Sequence, residues 1–228
     1  MAPGADTVGR AIVMPLEMLE RALPALAELS RPPAPSRPPS SRHGAARTAR
    51  RNRAPGSGHD PAAGRAVDWR LIAGELGTRL PGDYVELVHR YQGLVIDDRL
   101  GIRMPRPGWE RWYVDGMRDC LQELEVCWTT GDSGGHLPYP RPRGLMPWGG
   151  SIDGDTFYWR THPDGPEAWT VVVCGADNGW EEVERDLTGY LAGLVLGELE
   201  PCGALSPDFP GSAPSVTVDD GRRHPTWD

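Results

Sequence analysis

The residues able to do chemistry fall into two sets, and the first is nucleophilic or titratable. Cys174 ends an apolar run, His162 and Asp164 stand in the loop ahead of it, and His136 follows Asp132 and Ser133 in a Gly-rich stretch. Covalent catalysis needs a nucleophile beside a base, and a third group to orient that base. No local pattern supplies this, since the chain has neither a G-x-S-x-G elbow nor an H-E-x-x-H zinc helix. Glu181 and Glu182 are adjacent, so on a strand they point to opposite faces, a poor start for shared acid–base work. Cys120, Cys127, Cys174 and Cys202 form no C-x-x-C pair, and no histidine stands at metal-finger spacing. The expectation is four reduced thiols in a cytoplasmic protein, with no catalytic residue, no metal and no cofactor.

The second set is acidic and aromatic. Asp97, Asp98, Asp153, Asp155, Asp177, Glu181 and Glu182 gather at expected turns and strand ends. One reading makes them turn formers and solvated surface; the other makes them a negative face for a basic partner, which would speed association and select among partners. Trp148 and Trp159 flank a Gly-rich turn, where they could floor a binding groove or fill the core of a small sheet. The partner-binding candidates are Trp148, Asp153, Asp155, Trp159, Asp97, Asp98, Asp177 and Glu181.

The elements that position these residues centre on 147–199. Two β-rich runs, 155–161 and 169–174, are joined by a loop holding Asp-Gly and two prolines. Asp153-Gly154 and Asn178-Gly179 mark turns, because both dipeptides accept φ > 0 at little cost. A short strand over 180–183 follows. Asp186 then caps a helix with Leu187, Tyr190, Leu191, Leu194 and Val195 on one face, closed by Gly197. Upstream, Asp68 caps a helix carrying Trp69, Ile72, Ala73 and Leu76. Pro81 opens a second helix that buries Tyr84, Leu87, Val88 and Tyr91. Strands over 94–96 and 100–104 bracket the Asp97-Asp98-Arg99 turn. A third helix is expected over about 114–128, on the spacing of Met117, Cys120, Leu121, Leu124 and Trp128. Residues 129–146 read as a Gly/Pro-rich loop. Short turns leave no room for β-α-β crossovers, so the expected class is α+β, a largely antiparallel sheet packed with helices in a single domain.

Charge divides the chain. Residues 1–65 hold ten Arg and five acidic residues (+5), and residues 66–228 hold 14 Arg and 27 acidic residues (−13); together they give the net −8 of all 228 residues. Every basic side chain besides histidine is arginine. An acidic body repels nucleic acid and favours a basic protein partner. Residues 1–30 read as a short amphipathic segment with Leu16, Leu19 and Leu23 at helical spacing, broken at Pro24; it could dock on the body or bind a partner, and the preferred reading is a marginal helix with no role of its own. Residues 31–65, rich in Pro, Ser, Ala, Gly and Arg, read as a disordered basic linker; its arginines could touch nucleic acid or fold back on the acidic body, but they lack the aromatics of specific RNA recognition. The domain is expected over 66–205, with a flexible tail over 206–228 that lays only Phe209 back on the body. No apolar run reaches the ~20 residues of a membrane span, and no signal peptide is expected, because Glu17, Glu20 and Arg21 interrupt the early apolar stretch.

One family pattern runs through the domain. It comprises Trp69 with Leu76-Gly77, Leu80-Pro81-x-Asp83-Tyr84, Tyr91-x-Gly93, Pro147-Trp148-Gly149 and Gly154-Asp155-x-x-x-Trp159-Arg160-Thr161. It ends with Trp169-x-Val171-Val172-Val173, Leu187-Thr188-x-Tyr190-Leu191 and Gly197. In order and spacing, over about residues 67–200, this resembles the SUKH superfamily, named after a yeast cell-wall-assembly regulator. The resemblance implies a compact α+β domain without enzymatic activity. Many bacterial members are immunity proteins that neutralise a cognate toxin, often of nuclease or deaminase type, and others are regulatory scaffolds. The expected function is therefore non-catalytic binding of a basic toxin, by a monomer in the cytoplasm; the alternative is a regulatory or scaffold module. The 65 residues ahead of the domain and the long 129–146 loop depart from the family pattern.

Overall fold

Local chemistry places most of the elements. The computed structural model describes residues 16–29, 66–91, 93–203, 205 and 209–218. Helices α1 (Leu16–Ala22) and α2 (Ala25–Leu29) come first, then α3 (Trp69–Leu76) and α4 (Gly82–Arg90). Strands β1 (Leu94–Ile96) and β2 (Leu100–Ile102) lead to the long helix α5 (Glu110–Thr130). Next are β3 (Leu145–Ser151), β4 (Thr156–Arg160), β5 (Thr170–Cys174), β6 (Trp180–Val183), α6 (Leu187–Leu196) and β7 (Val216–Val218). Asp68 caps α3 by accepting from the Arg70 and Leu71 amides, and Asp186 caps α6 by accepting from that of Gly189. Gly77, Gly131 and Gly197 close α3, α5 and α6 in the left-handed conformation.

The seven strands form one sheet in the order β6-β5-β4-β3-β2-β1-β7, every neighbouring pair antiparallel. The class is α+β, as the short turns require. One face carries Met146, Trp148, Phe157, Trp159, Val171 and Val173 into the main core with Tyr84, Tyr190 and Leu191. Ring contacts knit this layer: Trp148 lies 5.1 Å from Phe157, and Tyr84 meets Trp159 edge-on at 5.0 Å. On the other face Leu145, Tyr158 and Val172 pack on Leu124 of α5.

Three expectations change. Residues 16–29 are part of the core: Leu16, Leu19, Leu23 and Leu26 are each 1% exposed, and α1 packs on α6 and α4. Glu20 fastens the segment, accepting from Arg90 Nη1 (2.6 Å) and Tyr91 Oη (2.7 Å). The cause lies in α6, which is apolar on nearly every side and buries all of Leu187 to Leu194. A helix of that composition needs covers beyond the sheet. Second, Phe209 is buried as expected, but the tail beyond it is not free over its whole length, because β7 pairs with β1. Third, the expected loop gives up Leu145 and Met146 to β3, and α5 begins at Glu110 rather than near 114.

Strand β3 hid because Pro147, Gly149 and Gly150 count against a strand. A register shift between Pro147 and Gly149 accommodates the irregularity. Gly149 is required by contact, since a Cβ there would lie 2.8 Å from the Gly101 carbonyl oxygen. The expected linker, 31–65, lies outside the described residues.

Candidate functional site

In an up-and-down antiparallel order, alternate turns share an end of the sheet. The β1–β2, β3–β4 and β5–β6 turns therefore lie side by side, with Ser215 at the start of β7 beside the first. Adjacent hairpins are two strand spacings apart, so the row spans about 19 Å. Asp97 and Asp98, Asp153, and Asp177 occupy its successive turns.

Each turn is held to the next. Asp97 and Asp98 both adopt φ 51°, a left-handed conformation that short polar side chains tolerate. The Asp97 amide donates to Ser215 O (2.9 Å), and the Ile152 amide donates to Arg99 O (3.0 Å), joining the first turn to β7 and to the second turn. Arg99 pairs with Asp153 at 2.7 Å. The second and third turns meet through Asp155, which accepts from Ser151 Oγ (2.5 Å) on Oδ2 and from the Ala176 amide (3.2 Å) on Oδ1. Asp177 accepts from the Gly179 amide (3.0 Å) inside its own turn. The outward charge of the row is four carboxylates against one guanidinium, presented on a platform without a free loop.

The remaining candidates sit elsewhere. Trp148 and Trp159 are 0% exposed and belong to the core, so neither forms a partner surface in this fold. Asp155, 2% exposed, is the internal tie between turns and not a contact residue. Glu181 and Glu182 are exposed on the edge strand β6, facing opposite sides as their adjacency dictates. Such charges blunt an open sheet edge.

Burial keeps three of the thiols protonated. Burial raises the Cys120 thiol, and it pushes Cys174 up to about 11. Burial and the Glu181 carboxylate push Cys202 up to about 12. A protonated thiol is a poor nucleophile. Burial, then the Arg160 cation 2.8 Å from Nδ1, holds His136 below the usual imidazole value. Arg160 also pairs with Glu182, and the His136 ring lies 4.7 Å from Trp180. Among the described residues His162 bonds within its own loop, its Nδ1 accepting from the Asp164 amide (3.2 Å). Among the described residues no three His, Cys, Asp or Glu side chains gather to hold a metal ion. No helix among them is long and apolar enough to cross a membrane. A hollow of about 680 Å³ is lined by Ala66–Leu71 with Gly108 and Glu110, away from every candidate above.

No family profile, curated protein or solved structure matches the chain.

Two prominent residues escaped the sequence reading. Trp109 and Trp112, at the start of α5, are 60% and 63% exposed. Their signal was present: two tryptophans three apart, directly behind a Pro-Gly step. Placing the helix start at 114 left them unassigned.

Proposed function

We propose that this chain is a non-catalytic protein-binding domain that neutralises a cognate bacterial toxin, the immunity role implied by its resemblance to the SUKH superfamily. The observation carrying the proposal is the row of acidic turns. Asp97, Asp98, Asp153 and Asp177 come from three separate hairpins and still lie along one end of one sheet, tied into a platform. A toxin that acts on nucleic acid carries a basic cleft. A preformed acidic row within a −13 body steers such a cleft onto itself and covers it. The α+β class also agrees with what the resemblance implies. In the scaffold alternative the basic segment and residues 11–29 supply a second contact, and of these the leucine face of 16–29 is already buried against the body.

The test is co-expression with any protein from an adjacent reading frame that is toxic alone. Protection, with a one-to-one complex that weakens as salt rises, is the expected result. Asp97→Asn/Asp98→Asn should lower the association rate about tenfold at low salt and much less at high salt. Absence of binding at low ionic strength would remove the immunity reading.

A further inference from the structure

We propose that the outward face of the N-terminal half of α5 is a docking surface for arginine side chains, and that its occupant is the chain's own residues 31–65. The face consists of Trp109, Trp112, Asp115, Asp119 and Glu123, all exposed. At 100° per residue these five fall within about 120° of one another around the helix. Arg111 and Arg118 lie to one side, and both turn toward Glu75 of α3 (3.4 and 2.8 Å). Arg118 also reaches Asp115 at 3.3 Å. With Glu75 included, the surface carries four carboxylates against two guanidinium groups.

The other end of the same helix shows how it holds an arginine. The Arg141 guanidinium sits 4.3 Å above the Trp128 ring and donates to both carboxylate oxygens of Glu125. A tryptophan and a carboxylate three positions apart thus form a complete arginine seat, one ring face plus one paired charge. Trp112 and Asp115 carry the same kinds of group at the same spacing in the reverse order, with the Trp112 ring open to solvent and Asp115 also within reach of Arg118.

Charge and position select the occupant. Residues 31–65 contain eight arginines and one acidic residue. The segment joins the domain at Ala66, which lines the hollow with Gly108 and Glu110, and the Asp68 amide donates to Glu110 Oε1 (3.1 Å). Ala66, the point of attachment, therefore lies beside Gly108 and Glu110 at the start of α5. Arg47, Arg50, Arg51 and Arg53 lie 13 to 19 residues before Ala66. Thirteen residues can span up to about 45 Å, whereas Trp112 to Glu123 covers about 17 Å of helix. Tethering gives these arginines an effective concentration on the order of millimolar, which a free basic ligand must exceed. The inference does not rest on the immunity reading.

Trypsin tests it in the full chain, because it cuts at the arginines that would be seated. Cleavage after Arg47 to Arg53 is followed by mass spectrometry at 50 and 500 mM NaCl, with a small ester substrate correcting for the salt response of the protease. At 50 mM the wild type should be cut about fivefold more slowly than Trp109→Ala/Trp112→Ala, and than Asp119→Asn/Glu123→Gln, since protection follows the docked fraction. At 500 mM the three should converge. The second variant keeps both tryptophans, so the comparison survives a folding defect in the first. Equal rates at 50 mM would overturn the proposal, as would protection that persists in both variants. Protection that grows with protein concentration would also overturn it, by identifying a second copy as the occupant.

Discussion

Replacing Leu19 by alanine asks whether the N-terminal helices belong to the folded body. Leu19 is 1% exposed and shares the main core with Leu16, Leu23 and Leu26. Truncating such a side chain removes its transfer energy and leaves a cavity, together about 3 kcal/mol. Total stability is on the order of 5–15 kcal/mol, so a sizeable fraction is at stake. For a protein of this length each kcal/mol moves Tm by roughly 2–4 °C, giving an expected fall of about 6–12 °C. Helix propensity works in the opposite direction, because alanine is the better helix former, so the loss reports docking alone. The control is Met18→Ala on the same helix; Met18 is 38% exposed and should cost less than about 0.5 kcal/mol. Melting followed by circular dichroism at 222 nm compares the two. If Leu19→Ala shifts Tm no more than Met18→Ala, α1 is undocked in solution and the reasoning fails. Acid should loosen the same contact. Burial alone would raise Glu20, but hydrogen bonds from Tyr91 and Arg90 outweigh it and hold the carboxyl below its usual value. The stabilisation from Glu20 is present above the unfolded carboxyl value and disappears as pH falls through the lower folded one.

Four further outcomes follow from the same geometry. Asp155→Ala leaves Ser151 Oγ and the Ala176 amide without their acceptor, and should cost about 2–3 kcal/mol in a urea titration; a loss within 0.5 kcal/mol would mean the turns are not tied through this residue. Asp97→Asn/Asp98→Asn should hold Tm within about 2 °C, because asparagine also tolerates the left-handed conformation; a larger fall would assign these acids to the fold. Gly149→Ala should cost about 1–3 kcal/mol by forcing Cβ against a backbone oxygen, a contact neither strand can relieve by rotating a side chain; an unchanged Tm would deny the close approach of β2 and β3. His136 resists protonation in the folded state, so its contribution is complete above the unfolded imidazole value of 6.5 and is lost as pH falls below it. Between pH 7.5 and 5.5 the wild type should therefore lose more stability than His136→Gln, and parallel melting curves would refute the assignment.

The acidic row was readable because turns demand Asp, Asn and Gly wherever the chain reverses through φ > 0. Asp97, Asp98, Asp177 and Asn178 are turn residues before they are anything else. That the turns share an end depends on strand order, which no short window reports. Trp148 and Trp159 show the opposite case. An aromatic residue beside glycines suits a groove floor as well as a core, and only burial under Tyr190 and Tyr84 decides between them. Trp109 and Trp112 went unplaced because an apolar stripe locates the buried side of a helix, whereas their meaning lies on the other side.

Sequence alone determined the caps of α3 and α6, the left-handed Gly197 that ends α6, the hairpin turns and the α+β class. All of these rest on interactions spanning a few residues. Tertiary structure decided that α6 is enclosed, that α1 covers it, that β7 extends the sheet beyond β1, and that three acidic turns line up. Those outcomes come from contacts between groups as far apart as Arg90 and Glu20 (70 residues) or Asp98 and Thr217 (119 residues). The physical reason is that an apolar surface specifies burial without specifying what buries it. The all-apolar α6 required a cover, and the segment that supplied one looked marginal when read by itself.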